Sequence, residues 1–217
     1  MLILAPQKLV VLEVPKTGSL ALRTMLKPHV SAGPMPAARH IGVNGYRRNH
    51  AFALDLAYGG RVETLAVVRE PLRRLQSWYR YRMRHNVAHL PISTRGMGFE
   101  AFVLAYLAHP APAFARVGRQ DRFIGWKDAR ARVDHVFDYM RLDRLERFLS
   151  RRLAQKLVLP VRNASPQDEA LDYSLSEAVL TRLLQANAAE FAMYRAVRGA
   201  GHLRRSDGRS NPSNSAH

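Results

Sequence analysis

An apolar run that ends in a lysine-bearing turn and passes at once into a helix pattern constrains the fold of this chain more than any other stretch. Val10-Val11-Leu12-Glu13-Val14 reads as a strand, Pro15-Lys16-Thr17-Gly18-Ser19 as a tight loop, and Leu20-Ala21-Leu22-Arg23 as the opening of a helix. Backbone N–H groups at a helix start lack intrahelical partners, and the helix dipole adds roughly half a positive charge there. Gly18 lets the backbone approach a ligand closely, and Lys16 adds a full, mobile charge. The loop is suited to a phosphate or sulfate group. It is not the ATP-site pattern, in which the lysine follows the glycine-rich arc and a metal-binding hydroxyl comes next. Here the lysine precedes the glycine. Taken alone, the stretch reads equally well as a plain strand–turn–helix junction with a surface lysine.

A second element breaks the tie. Val62-Glu63-Thr64-Leu65-Ala66-Val67-Val68 reads as a buried strand, Arg69-Glu70-Pro71 ends it, and Leu72 to Arg82 follows as a helix with Pro71 at its first position. Arg69 at the strand's carboxyl end and Ser77 on the next helix are suited to a second phosphate. The guanidinium fork matches phosphate oxygens, and the hydroxyl donates once more.

With both motifs in order, the chain resembles the sulfotransferases that use 3′-phosphoadenosine 5′-phosphosulfate (PAPS), most closely the carbohydrate-type branch and its bacterial relatives. Pro15-Lys16-Thr17-Gly18-Ser19 looks like their 5′-phosphosulfate loop, and Arg69 with Ser77 like their 3′-phosphate motif. Weaker echoes follow in Gln120 and Phe123, in Val133-Asp134-His135-Val136-Phe137, in Asn163-Ala164-Ser165-Pro166 and in Glu190-Phe191-Ala192-Met193-Tyr194, so the resemblance spans roughly Leu9 to Tyr194. It implies a three-layer P-loop-like α/β fold with a mostly parallel sheet flanked by helices. It implies an enzyme that moves the sulfuryl group of PAPS to a hydroxyl acceptor, a sugar or other small metabolite, without a metal. Lys16, Thr17, Gly18, Ser19, Arg69 and Ser77 are the implied cofactor-binding residues, and Arg162 is a further candidate for the 3′-phosphate. Two positions depart from the family pattern: Leu20 replaces a second hydroxyl, and Met140 stands where a glutamate is expected.

The chemistry asks for three things: a group to meet charge on the leaving phosphate oxygen, a frame that holds the donor in line, and a base for the acceptor's proton. Lys16 is assigned to the leaving oxygen. Histidine suits the base, and His40, in the segment after the first helix, leads, with His85 and His89 behind it. Trp78, Tyr79 and Tyr81 read as helix packing, with adenine contact as the alternative for one of them. Gln120 and Arg122 are candidates for the acceptor border.

Composition sets the remaining bounds. The formal net charge of +17 favours an anionic cofactor or acceptor, but the basic residues are spread along the chain and single out no specific nucleic acid. There is no cysteine, which removes disulfides and thiol chemistry and fits a reducing compartment. No apolar run reaches the roughly 20 residues of a membrane span, and the apolar start lacks a convincing cleavage site, so the expected location is the cytoplasm. Residues 1–198 are expected to form one domain, and 199–217 a disordered basic tail. Ser174-Leu175-Ser176-Glu177 reads as a capping box that opens a long helix to about Val197, with Leu180, Leu183, Leu184 and Phe191 facing the core. Two other readings stay open: an ATP-dependent phosphotransferase, and a non-catalytic nucleotide- or nucleic-acid-binding protein.

Overall fold

The computed structural model describes residues 1–34, 39–160 and 171–205. Arg162 and the Asn163–Pro166 stretch lie outside the described residues, as does the end of the chain from residue 206.

The framework is one five-stranded sheet in the order β1 (Leu2–Leu4), β2 (Leu9–Leu12), β3 (Glu63–Val68), β4 (His135–Asp138) and β5 (His202–Arg204). The central strands β2, β3 and β4 run parallel, while β1 and β5 close the two edges antiparallel. The sheet is therefore mixed, where the sequence predicts a mostly parallel one. The reason is length: each edge strand has only three residues, too few for a periodic signal, and tertiary pairing alone makes them strands.

Side chains on successive strand residues point to opposite faces, and every apolar position of β1 to β4 is buried on one side or the other. One face takes Leu9, Val11, Leu65, Val67 and Phe137 and packs against α1 (Ser19–Leu26) and α7 (Leu142–Arg152) through Leu22, Met25, Leu26, Leu145 and Leu149. The opposite face takes Val10, Leu12, Ala66, Val68 and Val136. It is covered by α2 (Val43–Tyr46), α3 (Phe52–Ala57), α6 (Gln120–Ile124) and α9 (Ala188–Ala200). A π-helical segment, Arg47–Ala51, joins α2 to α3. Helices on both faces make three layers. A third apolar cluster gathers α4 (Pro71–Arg82), α5 (Phe99–Leu107) and α8 (Glu177–Ala186) around Tyr79, Phe99, Phe102 and Leu183.

Three expectations are corrected. The boundary at residue 198 falls inside α9, and the segment beyond it turns at Gly201 (φ 67°) and adds β5 to the sheet, so ordered structure continues to Arg205. Leu203 packs into the core there, and the left-handed backbone at Gly201 favours glycine. The capping serine is Ser176, not Ser174: its hydroxyl accepts from the Val179 N–H at 3.4 Å. The long helix is two helices, α8 and α9, broken at Asn187, and Leu180 and Leu184 on α8 face outward, 36% and 42% exposed. Leu183 and Phe191 pack against the third cluster as expected.

The β4–β5 pair carries a stability switch. His135 Nδ1 and His202 Nε2 lie 3.1 Å apart, and the His202 ring stacks on Phe137 at 4.0 Å between centroids. Burial lowers His202 from 6.5 to about 4, with His135, Arg204, Arg144 and Arg151 adding like charge. Burial lowers His135 as well. Both rings are therefore neutral in the fold and take up protons more readily once unfolded. A base with a depressed folded pKa leaves stability intact above its unfolded value and erodes it as pH falls. Urea midpoints are expected to drop between pH 6.5 and about 4, and His202→Phe is expected to flatten that slope. An equal slope in the variant would remove the pair as its cause.

Candidate functional site

The carboxyl ends of β2, β3 and β4 meet at one edge of the sheet, and the loops after them build the site. The loop after β2 turns twice through left-handed backbone, at Lys16 (φ 69°) and Gly18 (φ 79°). For lysine this conformation costs about 1–2 kcal/mol, so packing around the loop must hold it. The Thr17 hydroxyl supplies one tie, donating to the Val14 carbonyl at 2.9 Å from a buried position. The Thr17 side chain thus holds the loop's shape, and its backbone N–H is what it offers an anion. Gly18 caps α1 without a side-chain hydrogen bond at the helix start. A Cβ on Gly18 would stand 3.0 Å from Tyr139 Cε2, so the glycine is required by a neighbouring ring as well as by its dihedral.

That ring links the two halves of the site. Tyr139 follows β4, and the Arg69 guanidinium lies over its face at 4.7 Å. Gln120 brackets the Arg69 peptide, accepting from its N–H and donating to its carbonyl, each at 2.8 Å. Gln120 is fully buried and also donates to Glu190, so it holds the end of β3 and does not border an acceptor. Arg122 is exposed. Glu70 caps α4, its carboxylate accepting from the N–H groups of Leu72 at 3.0 Å and Arg73 at 2.6 Å. The α4 N-terminus is therefore already satisfied, and an anion beside Arg69 meets side chains. Ser77 sits half-buried on α4, two turns on.

Lys16 is half-buried. Burial and the positive fields of Arg84, Arg69 and Arg80 lower it from 10.5 to about 8. Arg69 is lowered too, by burial and by Arg80 and Arg73. Among the described residues, none of Lys16, Arg69, Arg73, Arg80 and Arg84 pairs with a carboxylate. Arg23, Arg61, Arg74, Arg119, Arg141, Arg147, Arg152 and Arg205 do, and Arg82, Arg95, Arg116 and Arg144 are held by backbone carbonyls. Charges of one sign gathered at one edge attract the opposite charge. The acidic side chains at the same strand ends are committed elsewhere. Glu13 holds Arg23 and the N-terminal ammonium, Glu70 caps α4, and Asp138 accepts from Met140 N–H and the Tyr194 hydroxyl.

His40 comes to this edge as well. Its Nδ1 lies 2.9 Å from the Glu13 carbonyl oxygen, just past β2, and the residue is exposed. A carbonyl only accepts, so Nδ1 carries the proton and the neutral ring presents Nε2 as a bare acceptor. Ser19 lies half-buried at the first position of α1, and Leu20 beside it is 47% exposed. Met140 is exposed, and Asp138 accepts from its backbone N–H at 3.0 Å.

Sequence reading missed the roles of Tyr139, Tyr81 and Glu70. Tyr139 stands at the end of an apolar run, Tyr81 reads as packing, and Glu70 reads only as part of the turn that ends a strand. The Glu-Pro pair before a helix is the signal for the cap. Tyr79 is packing, as expected: it is buried against Phe99 and Phe102, and its hydroxyl donates to the Met97 carbonyl at 2.6 Å. Trp78 and Tyr81 instead face Lys16.

An open cavity of about 490 Å³ lies at the opposite, amino edge of the sheet, lined by Pro6, Gln7, Lys8, Arg61, Glu63 and Arg152. Its cations are already engaged, Lys8 by the Gly59 carbonyl, Arg61 by Asp134 and Arg152 by Glu63. Among the described residues, no helix is long and apolar enough to cross a membrane. No protein-family model matches the sequence, and no curated protein or solved structure matches it.

Proposed function

We propose that this chain is a PAPS-dependent sulfotransferase with a P-loop-like core, transferring a sulfuryl group to a hydroxyl acceptor. The observation that carries the reading is the gathering of Lys16, Arg69, Arg73, Arg80 and Arg84, none paired with a carboxylate among the described residues, where the parallel strands end. The residues fit the cofactor. Two cations from different loops, Lys16 at the α1 loop and Arg69 at the end of β3, suit an anion that carries more than one phosphate group. The commitment of Glu13, Glu70 and Asp138 to protein partners favours a nucleotide held by cations over one held through magnesium.

PAPS supplies a sulfuryl group on a phosphate leaving group. The residues supply the rest. Lys16 and the backbone N–H groups of Thr17, Gly18 and Ser19 hold the 5′ end and meet the charge that develops on the leaving oxygen. Arg69 and Ser77 hold the 3′-phosphate. His40 Nε2 accepts the acceptor's proton as its oxygen bonds to sulfur and the sulfur–phosphate oxygen bond breaks.

A thermal-shift panel tests the reading. The desulfated nucleotide, 3′-phosphoadenosine 5′-phosphate, is expected to raise the melting temperature in EDTA and to do so more than ATP with magnesium or short DNA. Stabilisation by ATP alone, abolished by EDTA, would instead establish a phosphotransferase. Stabilisation by DNA alone would establish a nucleic-acid binder.

His40 carries its own prediction. His40→Asn is expected to lower turnover on the order of a hundredfold, with nucleotide affinity nearly unchanged. A variant that keeps the wild-type rate would pass the role to His85 or His89.

A further inference from the structure

The Lys16 ammonium lies over the face of the Tyr81 ring, 4.1 Å from its centroid, and 5.7 Å from the centroid of Trp78. These two rings stand edge to face, with centroids 5.9 Å apart and planes at 82°. They form a corner with the lysine at its mouth. The groups that face the ammonium are otherwise cationic: Arg69 from the end of β3, Arg80 from α4, and Arg84 from the turn after it. Arg84 shares the Tyr81 ring at 5.2 Å, and Arg82 lies over Trp78 at 5.0 Å.

A half-buried ammonium facing three guanidinium groups is costly to keep charged. Aromatic faces carry negative quadrupole density and attract a cation most strongly where water is thin. Among the described residues, the faces of Tyr81 and Trp78 are the favourable field that Lys16 meets. The backbone sets up the encounter, because the left-handed conformation at Lys16 fixes the direction in which its side chain leaves the loop.

We propose that Tyr81, backed by Trp78, is a positioning residue for Lys16: its ring face holds the ammonium charged and aimed across the β2–α1 loop, ready to meet an anionic phosphate or phosphosulfate oxygen. The inference rests on the reading of Lys16 as the anion-binding lysine of this site and adds the residue that prepares it. The ring face carries no net charge, so the ammonium keeps its ring contact while its N–H groups turn to an arriving phosphate. A carboxylate in the same position would hold the lysine more tightly and oppose the anion. The phenolic hydroxyl plays no part, so phenylalanine should replace tyrosine.

The test uses full-length protein labelled with ¹³C-lysine, whose five lysines give few signals to assign. Lys16→Ala identifies the Lys16 resonance. A methylene beside a ring face is expected upfield of its ordinary position in wild type and in Tyr81→Phe, and at the ordinary position in Tyr81→Leu. The titration midpoint of Lys16 is expected to fall by about half a pH unit or more in Tyr81→Leu and to be restored in Tyr81→Phe. Affinity for 3′-phosphoadenosine 5′-phosphate at neutral pH is expected to fall about three- to thirtyfold in Tyr81→Leu, with Tyr81→Phe near wild type. An ordinary Lys16 shift in wild type, which needs no variant to fold, would overturn the proposal. So would a midpoint unchanged in a folded Tyr81→Leu. Failure to bind the nucleotide with the shift and midpoint as expected would uphold the cradle and remove the cofactor reading.

Discussion

Glu190→Ala is expected to cost about 3–5 kcal/mol of folding stability, the range for stranding one partner of a buried ion pair. Glu190 is 1% exposed, and its Oε1 accepts from the Gln120 backbone N–H at 2.9 Å, from Gln120 Nε2 at 3.1 Å and from the buried Arg74 guanidinium at 3.4 Å. Removing the carboxylate leaves a buried cation without its counter-charge and two buried donors without an acceptor. The damage reaches the site, because Gln120 in turn brackets the peptide of Arg69. Urea unfolding is the measurement: the midpoint should fall with the slope unchanged. A loss below about 1 kcal/mol, the range of an exposed pair, would show that the node is not the clamp described. Arg69→Ala should leave stability close to wild type, since the clamp grips its backbone and not its guanidinium.

Lys16→Ala is expected to lower sulfuryl-transfer turnover about 10²–10³-fold, as for loss of a donor aimed at charge in the transition state. Nucleotide affinity should fall much less, because the developing charge on the leaving oxygen exists only during transfer. The pH dependence supplies a second readout. Lys16 titrates near 8, its charged form disfavoured by burial and by three arginines. The proton is lost as pH rises through that value, so kcat/KM is expected to decline above pH 8 in wild type. Lys16→Arg, charged at every accessible pH, should lose that limb while keeping part of the rate. A Lys16→Ala enzyme with wild-type turnover would remove the lysine from the chemistry.

Much of the framework was legible in the sequence because the signals were local. The bounds of α1 followed from the Gly18 turn and the apolar spacing after it, and the start of α4 from Pro71. The three parallel strands appeared as apolar runs. What was not legible was made by distant pairing. β1 and β5 are three-residue strands that exist because neighbours offer hydrogen bonds, and β5 lies in a stretch whose Gly, Arg and Ser content resembles a tail. Asn187 divides α8 from α9 with its side chain donating to the Tyr106 hydroxyl at 2.8 Å, a tertiary tie invisible to helical periodicity.

The site divides in the same way. Lys16, Gly18 and Arg69 were readable from turns and strand ends, and His40 from the family resemblance; all four lie at the carboxyl edge of the sheet. Thr17 was readable as a loop residue, but its inward hydroxyl depends on where the Val14 carbonyl points. The roles of Tyr139 and Tyr81 depend on three segments meeting, since each ring is defined by the cation above it. Gln120 carried a sequence echo whose meaning changed with the fold, from acceptor border to a buried clamp on β3.

The central claim is that this edge binds a nucleotide by two separate phosphate centres. Calorimetric titration in EDTA with 3′-phosphoadenosine 5′-phosphate, and with the same nucleotide lacking its 3′-phosphate, tests it most directly when wild type and Arg69→Ala are run side by side. Wild type is expected to bind without metal and with a clear preference for the 3′-phosphate. Arg69→Ala is expected to lose about 1.5–3 kcal/mol for the 3′-phosphorylated ligand and little for the other. Equal affinity of wild type for the two nucleotides, or binding that appears only when magnesium is restored, would contradict the claim.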